Sequence, residues 1–128
     1  MTIDPKSADA WSMLGGHYYQ TQQWPAALEA YQTVTRVRPT DSAAWNSQGA
    51  VFFQLKRFNE SAQAFSQAVS LKKDDLSARL NLMLAQEASG QYTAAIQSAQ
   101  EALKVAPDTE KAKLISYIKQ LESRAGTP

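Results

Sequence analysis

The chain repeats itself every 34 residues, and few folds tolerate so strict a period. Trp11 and Trp45 lie one period apart, as do Gly15 and Gly49, and Tyr18 and Phe52. Trp24, Phe58 and Tyr92 hold the spacing over three copies, and Tyr31 and Phe65 over two. Pro5, Pro39 and Pro107 fall on the same grid, whose remaining point is Lys73. Self-similarity at this length means that one supersecondary unit is copied and stacked, because a unit so small cannot bury its apolar face alone.

One period reads as two helices. Ala10, Trp11, Leu14 and Tyr18 recur at helical spacing and make one apolar face. Trp24-Pro25 follows the polar stretch Thr21-Gln22-Gln23, and proline suits a first helical turn, so a second helix starts there. Ala27, Leu28, Tyr31, Val34 and Val37 supply its apolar side, and Pro39 stops it by pushing its predecessor out of the α region. Asp41 or Ser42 can cap the helix that follows. The second unit repeats the scheme with Trp45, Phe52, Leu55, Phe58, Phe65, Val69 and Leu71. The third uses Leu82, Ala85, Tyr92, Ala95, Ile96, Ala99, Leu103 and Val105. Helices are expected at 8–21, 24–37, 42–55, 58–71, 76–89 and 92–105. A seventh is expected at 109–123, with Leu114, Ile115, Ile118 and Leu121 on its apolar side and Asp108 as its cap. Small residues stand where helices must approach closely: Gly15, Gly49, Ala27, Ala68, Ala95 and Ala102.

Bulk properties narrow the function classes. A chain of 128 residues makes one domain and buries roughly two thirds of its unfolded surface without staples. It has no cysteine, which excludes disulfides and thiolate metal sites and fits a reducing cytosol, although a cysteine-free domain also suits the bacterial envelope. Net charge is +1 with acids and bases interspersed, so the basic excess of a nucleic-acid module is missing. No apolar stretch approaches the roughly 20 residues that span a bilayer, and no signal-peptide pattern opens the chain.

A 34-residue helix–turn–helix carrying Trp-x2-Leu-Gly-x2-Tyr, then Ala, an aromatic and Pro, resembles the tetratricopeptide repeat. The first copy matches as Trp11, Leu14, Gly15, Tyr18, Ala27, Tyr31 and Pro39. The second matches as Trp45, Gly49, Phe52, Phe65 and Ala68, with Gln48 for leucine, Ser61 for alanine and Lys73 for proline. The third keeps Leu82, Tyr92, Ala95, Ala102 and Pro107, with Arg79 for the tryptophan and Met83 for the glycine. The resemblance implies an all-α, right-handed solenoid over residues 1–128. Repeats are expected at 8–41, 42–75 and 76–109, closed by a capping helix at 109–123 whose polar side is Lys111, Lys113, Lys119, Glu122 and Arg124. Ile3-Asp4-Pro5 sits on the grid as the tail of a preceding repeat would, which favours excision from a longer array over a natural start.

The family's architecture places partner peptides against the first helix of each hairpin. The implied concave face presents Asp9, Ser12, Met13, Gly16, Tyr19 and Gln20 from the first repeat, and Ala43, Asn46, Ser47, Ala50, Phe53 and Gln54 from the second. The third adds Ser77, Leu80, Asn81, Leu84, Glu87 and Ala88. Ser12, Gly16, Tyr19, Asn46, Ala50, Phe53, Ser77, Leu80, Asn81 and Leu84 are therefore the expected partner-peptide residues. Asn46 and Asn81 offer amide donors and acceptors for a ligand backbone. Tyr19 and Phe53 offer rigid anchoring area, and Leu80 and Leu84 are expected to floor an apolar pocket. Chaperone-binding members grip a terminal carboxylate with lysines, asparagines and arginine. The corresponding positions here are Ser12, Gly16, Ser47, Ser77 and Asn81, without a cation to offset a buried carboxylate.

The expected function is a protein-interaction module that holds a peptide or helical segment of a protein partner. The alternative is self-association or a spacer within a longer array. RNA binding, as in pentatricopeptide arrays with a basic groove, fits this sparsely charged face less well. No enzyme, cofactor or metal site is expected. His17 is the only histidine and reads as a partly packed helix residue, and no positioned nucleophile or phosphate loop is present. Asp74-Asp75 reads as capping rather than as an acid–base pair.

Overall fold

The computed structural model describes residues 5–126. Among them are seven helices and no strand: α1 (Pro5–Gln20), α2 (Trp24–Val37), α3 (Ser42–Gln54), α4 (Phe58–Leu71), α5 (Leu76–Ala88), α6 (Tyr92–Val105) and α7 (Asp108–Arg124). The first six pair as hairpins, α1 with α2, α3 with α4 and α5 with α6, and each hairpin packs on the next. The second helix of every hairpin spans its expected residues. α1 begins three residues earlier than expected, at Pro5, and proline suits a first helical turn. Residues 1–4 lie outside the described residues.

The two kinds of turn are closed differently. Between hairpins, Asp41 accepts from the Ala44 N–H at 3.2 Å and Asp75 from the Ala78 N–H at 3.3 Å, each satisfying a donor that a helix start leaves unpaired. Within hairpins the backbone does the work. The N–H groups of Gln23, Arg57 and Gln91 donate to the carbonyls of Tyr18, Phe52 and Gln86 at 2.8–2.9 Å, the six-to-one bond that ends a helix on a left-handed residue. That residue is Gln22, Lys56 or Gly90, with φ of 60°, 61° and 82°. Asp108 does not cap α7: Pro107 holds that position, and Asp108 lies in the first turn and pairs with Lys111 at 3.2 Å.

Departures from the repeat pattern each find a local solution. Gln48 is buried where a leucine is usual, and its side-chain oxygen accepts from the Thr35 hydroxyl at 2.9 Å. Ser61, fully buried in an alanine position, donates to the Gly49 carbonyl at 2.7 Å. Trp45 ties α3 to the preceding turn by donating its indole N–H to the Pro39 carbonyl at 2.8 Å. Arg79, one period later, makes the same tie with its Nε–H to the Lys73 carbonyl at 2.7 Å. The third repeat also exchanges volumes. A Cβ on Gly15 would sit 2.8 Å from the Tyr31 ring and one on Gly49 2.7 Å from the Phe65 ring, so those aromatics need a glycine beneath them. In the third repeat the aromatic position is Ala99, and Met83 replaces the glycine; both are buried in one cluster. Summed volume is kept, which is what a close-packed interior demands.

The buried residues form three clusters along the stack, and the first helix is the least covered. Ala10 and Leu14, expected on the covered face of α1, are exposed, Leu14 by 41%. Ile115 of α7 is also exposed, at 45%, whereas Leu114, Ile118 and Leu121 are buried. His17 is exposed rather than partly packed.

Candidate partner groove

α1, α3 and α5 lie side by side along one face, and their spacing brings residues far apart in sequence to one place. Tyr19, Ala50, Phe53, Gln54, Phe65, Asn81 and Leu84 line a hollow of about 190 Å³. Tyr19 is braced edge-on by Trp24, with ring centroids 5.1 Å apart, and Phe53 by Phe58 at 5.0 Å. Each aromatic is held by the start of its partner helix, so both are pre-positioned, and bracing of this kind lowers the entropy lost on binding. Leu84 is 41% exposed, so it offers apolar area to the hollow without being part of the core.

Asn46 and Asn81 meet across the helix boundary, with the Asn81 amide donating to the Asn46 side-chain oxygen at 3.2 Å. The pair keeps one amide donor group on Asn46 and one acceptor on Asn81 without a partner among the described residues. Gly16 is half-buried over the Tyr31 ring, and a Cβ there would stop 3.7 Å from the Tyr31 hydroxyl. Ser12 and Ser77 are exposed on α1 and α5, outside the hollow.

Three residues of the expected concave face are engaged elsewhere. Leu80 packs on the cluster that α7 closes, beside a hollow of about 180 Å³ whose lining includes Leu76, Met83, Leu114 and Tyr117. It shares no pocket with Leu84 although the two stand on one face of α5: four residues separate them by about 6 Å along the helix, and Leu80 is the one packed on the cluster that α7 closes. Glu87 is taken by α7: the Tyr117 hydroxyl donates to one of its carboxylate oxygens and Arg124 pairs with the other. Burial, then the hydrogen bond and charge of Glu87, push the Tyr117 phenol up to about 12. Asp9 is bound by Arg38 at 2.7 Å, and the guanidinium holds its carboxyl below the usual range.

No lining residue of the hollow is charged. Among the described residues no group of three or more histidine, cysteine or acidic side chains could hold a metal, and no helix is long and apolar enough to cross a membrane.

Comparison with known proteins bears on the fold. Tetratricopeptide repeat models match residues 12–78 and 77–109. No curated protein matches the chain. Among solved structures, the first tetratricopeptide domain of Spaghetti (RPAP3) bound to the HSP90 peptide SRMEEVD superposes with a TM-score of 0.84 at 16% identity, covering 98% of both chains. The TPR2B domain of yeast Sti1, in complex with an Hsp70 peptide, gives 0.78 at 22% identity over 94% of this chain and 96% of that one. A chain of the CopN–Scc3 complex gives 0.83 at 14% identity over 90% and 71%. Identities this low carry the fold alone. Proteins of this family generally serve as non-enzymatic interaction modules. With family models spanning 12–109 and seven helices in the matching order, the chain belongs to the tetratricopeptide repeat family.

Proposed function

We propose that residues 1–128 form a single non-catalytic domain of three repeats, 8–41, 42–75 and 76–109, that holds an uncharged, apolar segment of a partner protein in the face formed by α1, α3 and α5. The observation that carries this reading is the convergence of Tyr19, Phe53 and Leu84, one from each repeat, on one hollow beside the Asn46–Asn81 pair. An aliphatic or aromatic side chain fills the hollow, and the spare donor and acceptor of the asparagines meet the ligand's main chain. The peptide SRMEEVD held by the Spaghetti domain carries three acidic residues. Here the hollow has no cation and its chemistry suits an internal segment better than an acidic terminus, because an unpaired carboxylate is costly to bury.

Peptide display against the purified domain tests this. Selected sequences should be rich in Leu, Phe and Met and should not depend on a free carboxy terminus. Their affinity by fluorescence anisotropy should fall roughly 30-fold in Leu84→Glu and several-fold in Asn46→Ala/Asn81→Ala. Acidic carboxy-terminal tails as the dominant selection, or unchanged binding by both variants, would overturn it.

A second reading is favoured by α1, where Met13 is 77% and Leu14 41% exposed. In it the same face packs against a helix of another copy. A mass by light scattering that stays monomeric at every concentration sinks that reading and leaves the groove untouched.

A further inference from the structure

The junction between the first and second hairpins differs from the next one in a way that the 34-residue grid makes exact to the residue. In the first junction Leu28 and Phe52 are buried in one cluster, and the Arg57 guanidinium covers the Phe52 ring at 4.9 Å. The matching positions of the second junction are Ala62, Gln86 and Gln91. A leucine and a phenylalanine have been lost from the wall, and the cation that lay over the ring has become an amide. The space they leave is a cleft of about 610 Å³ between α4 and α5, which shares no lining residue with the groove hollow.

Its chemistry is uniform. Ala62 and Leu82 form an apolar floor, and the remaining lining is amide or hydroxyl, with no charged residue. Glu29 of the first repeat has Gln63 as its equivalent, so the acid at this rim is gone as well. Asn59 and Gln91 are joined across one end by a 2.8 Å hydrogen bond, and Gln86 is anchored by the Ser98 hydroxyl at 2.6 Å. Gln63 and Gln67 are exposed on the rim, and their side-chain amides make no hydrogen bond among the described residues. Each amide carries both a donor and an acceptor, so the rim can pair with a peptide backbone in either direction.

We propose that this cleft is a second docking site, separate from the α1–α3–α5 groove. It takes an uncharged partner segment that inserts an aromatic side chain where the first junction has its own Phe52. The inserted ring rests on Ala62 and Leu82, and the flanking main chain pairs with Gln63 and Gln67. The first junction itself supplies the template for the occupant: an aromatic ring packed between the two hairpins and covered by a planar polar group.

The probe is the capped tripeptide acetyl-Gly-Phe-Gly-amide, with acetyl-Gly-Ala-Gly-amide as control, titrated into the labelled domain and followed by amide chemical shifts. The phenylalanine peptide should shift Ala62, Ser66 and Gln86 in the millimolar range expected of so small a ligand, and the alanine peptide should not. Ala62→Leu/Gln86→Phe restores the first junction's residues and should abolish these shifts. Gln63→Ala/Gln67→Ala, changed only at exposed positions, should weaken binding roughly three- to tenfold. Leu84→Glu should leave the cleft shifts unchanged, which separates this site from the groove. Equal shifts with both peptides, shifts that survive the filled variant, or shifts confined to Tyr19, Phe53 and Leu84 would overturn the proposal.

Discussion

At one end of the stack α7 buries Leu114, Ile118 and Leu121 against α5 and α6 and ties itself down through Glu87, whereas at the other α1 leaves Met13 and Leu14 open to water. The grid explains the contrast. Ala44 and Ala78 are buried beneath the preceding hairpin, at 4% and 1% exposure, while their equivalent Ala10 is exposed. Gln48 is covered and bonded to Thr35 of α2, while its equivalent Leu14 has no such neighbour. The apolar residues of α1 therefore follow the repeat's pattern rather than the needs of an end. α7 departs from that pattern, turning a different stripe inward and leaving Ala112, Ser116 and Lys119 outside.

The largest test of this contrast is Leu121→Ala. The side chain is 1% exposed, and its removal should cost about 2–5 kcal/mol in denaturant unfolding, the range for a core leucine that leaves a cavity. Tyr117→Phe comes next. Losing the hydroxyl donor to Glu87 should cost about 1–2 kcal/mol near neutral pH. It should also change the alkaline limb. Tyr117 holds its proton up to about 12, against an ordinary value near 10, so the stability it contributes is complete below about pH 10 and is lost as pH rises toward 12. Stability measured across that window should fall less steeply in the phenylalanine variant. The smallest effect belongs to Leu14→Gln, which should stay within about 0.5 kcal/mol because most of what it removes is already wet. If Leu14→Gln costs as much as Leu121→Ala in a monomeric sample, the two ends are not different in the way described.

The helices were readable because punctuation and period agree. Trp24-Pro25, Pro39 and the aspartates at 41 and 75 mark boundaries by local chemistry, and the aromatic and glycine grid sets the stacking. The groove was readable only as a set of positions along α1, α3 and α5. Which of them share a hollow depends on position along each helix and on what packs against it, so Leu80 meets α7 while Leu84, four residues on along the same face, lines the groove. The engagement of Glu87 was invisible for a related reason: α7 sits outside the grid, and no period tells which of its faces turns inward. The cleft at Ala62 and Gln86 corresponds to a size change between repeats, but a size change becomes a space only once the two helices are known to face each other.

Neighbour-only packing has a kinetic corollary. In a stack where each hairpin touches chiefly the next, opening need not be all-or-none. α1 and α2 can peel away by breaking a single junction, while α4 is released only after junctions on both of its sides have gone. Amide hydrogens of α1 should then exchange through partial opening and those of α4 through nearly global unfolding. A ligand bridging Tyr19 and Leu84 would clasp the loosest hairpin to the third one, so its binding would register as slowed exchange in a helix most of whose surface it never touches.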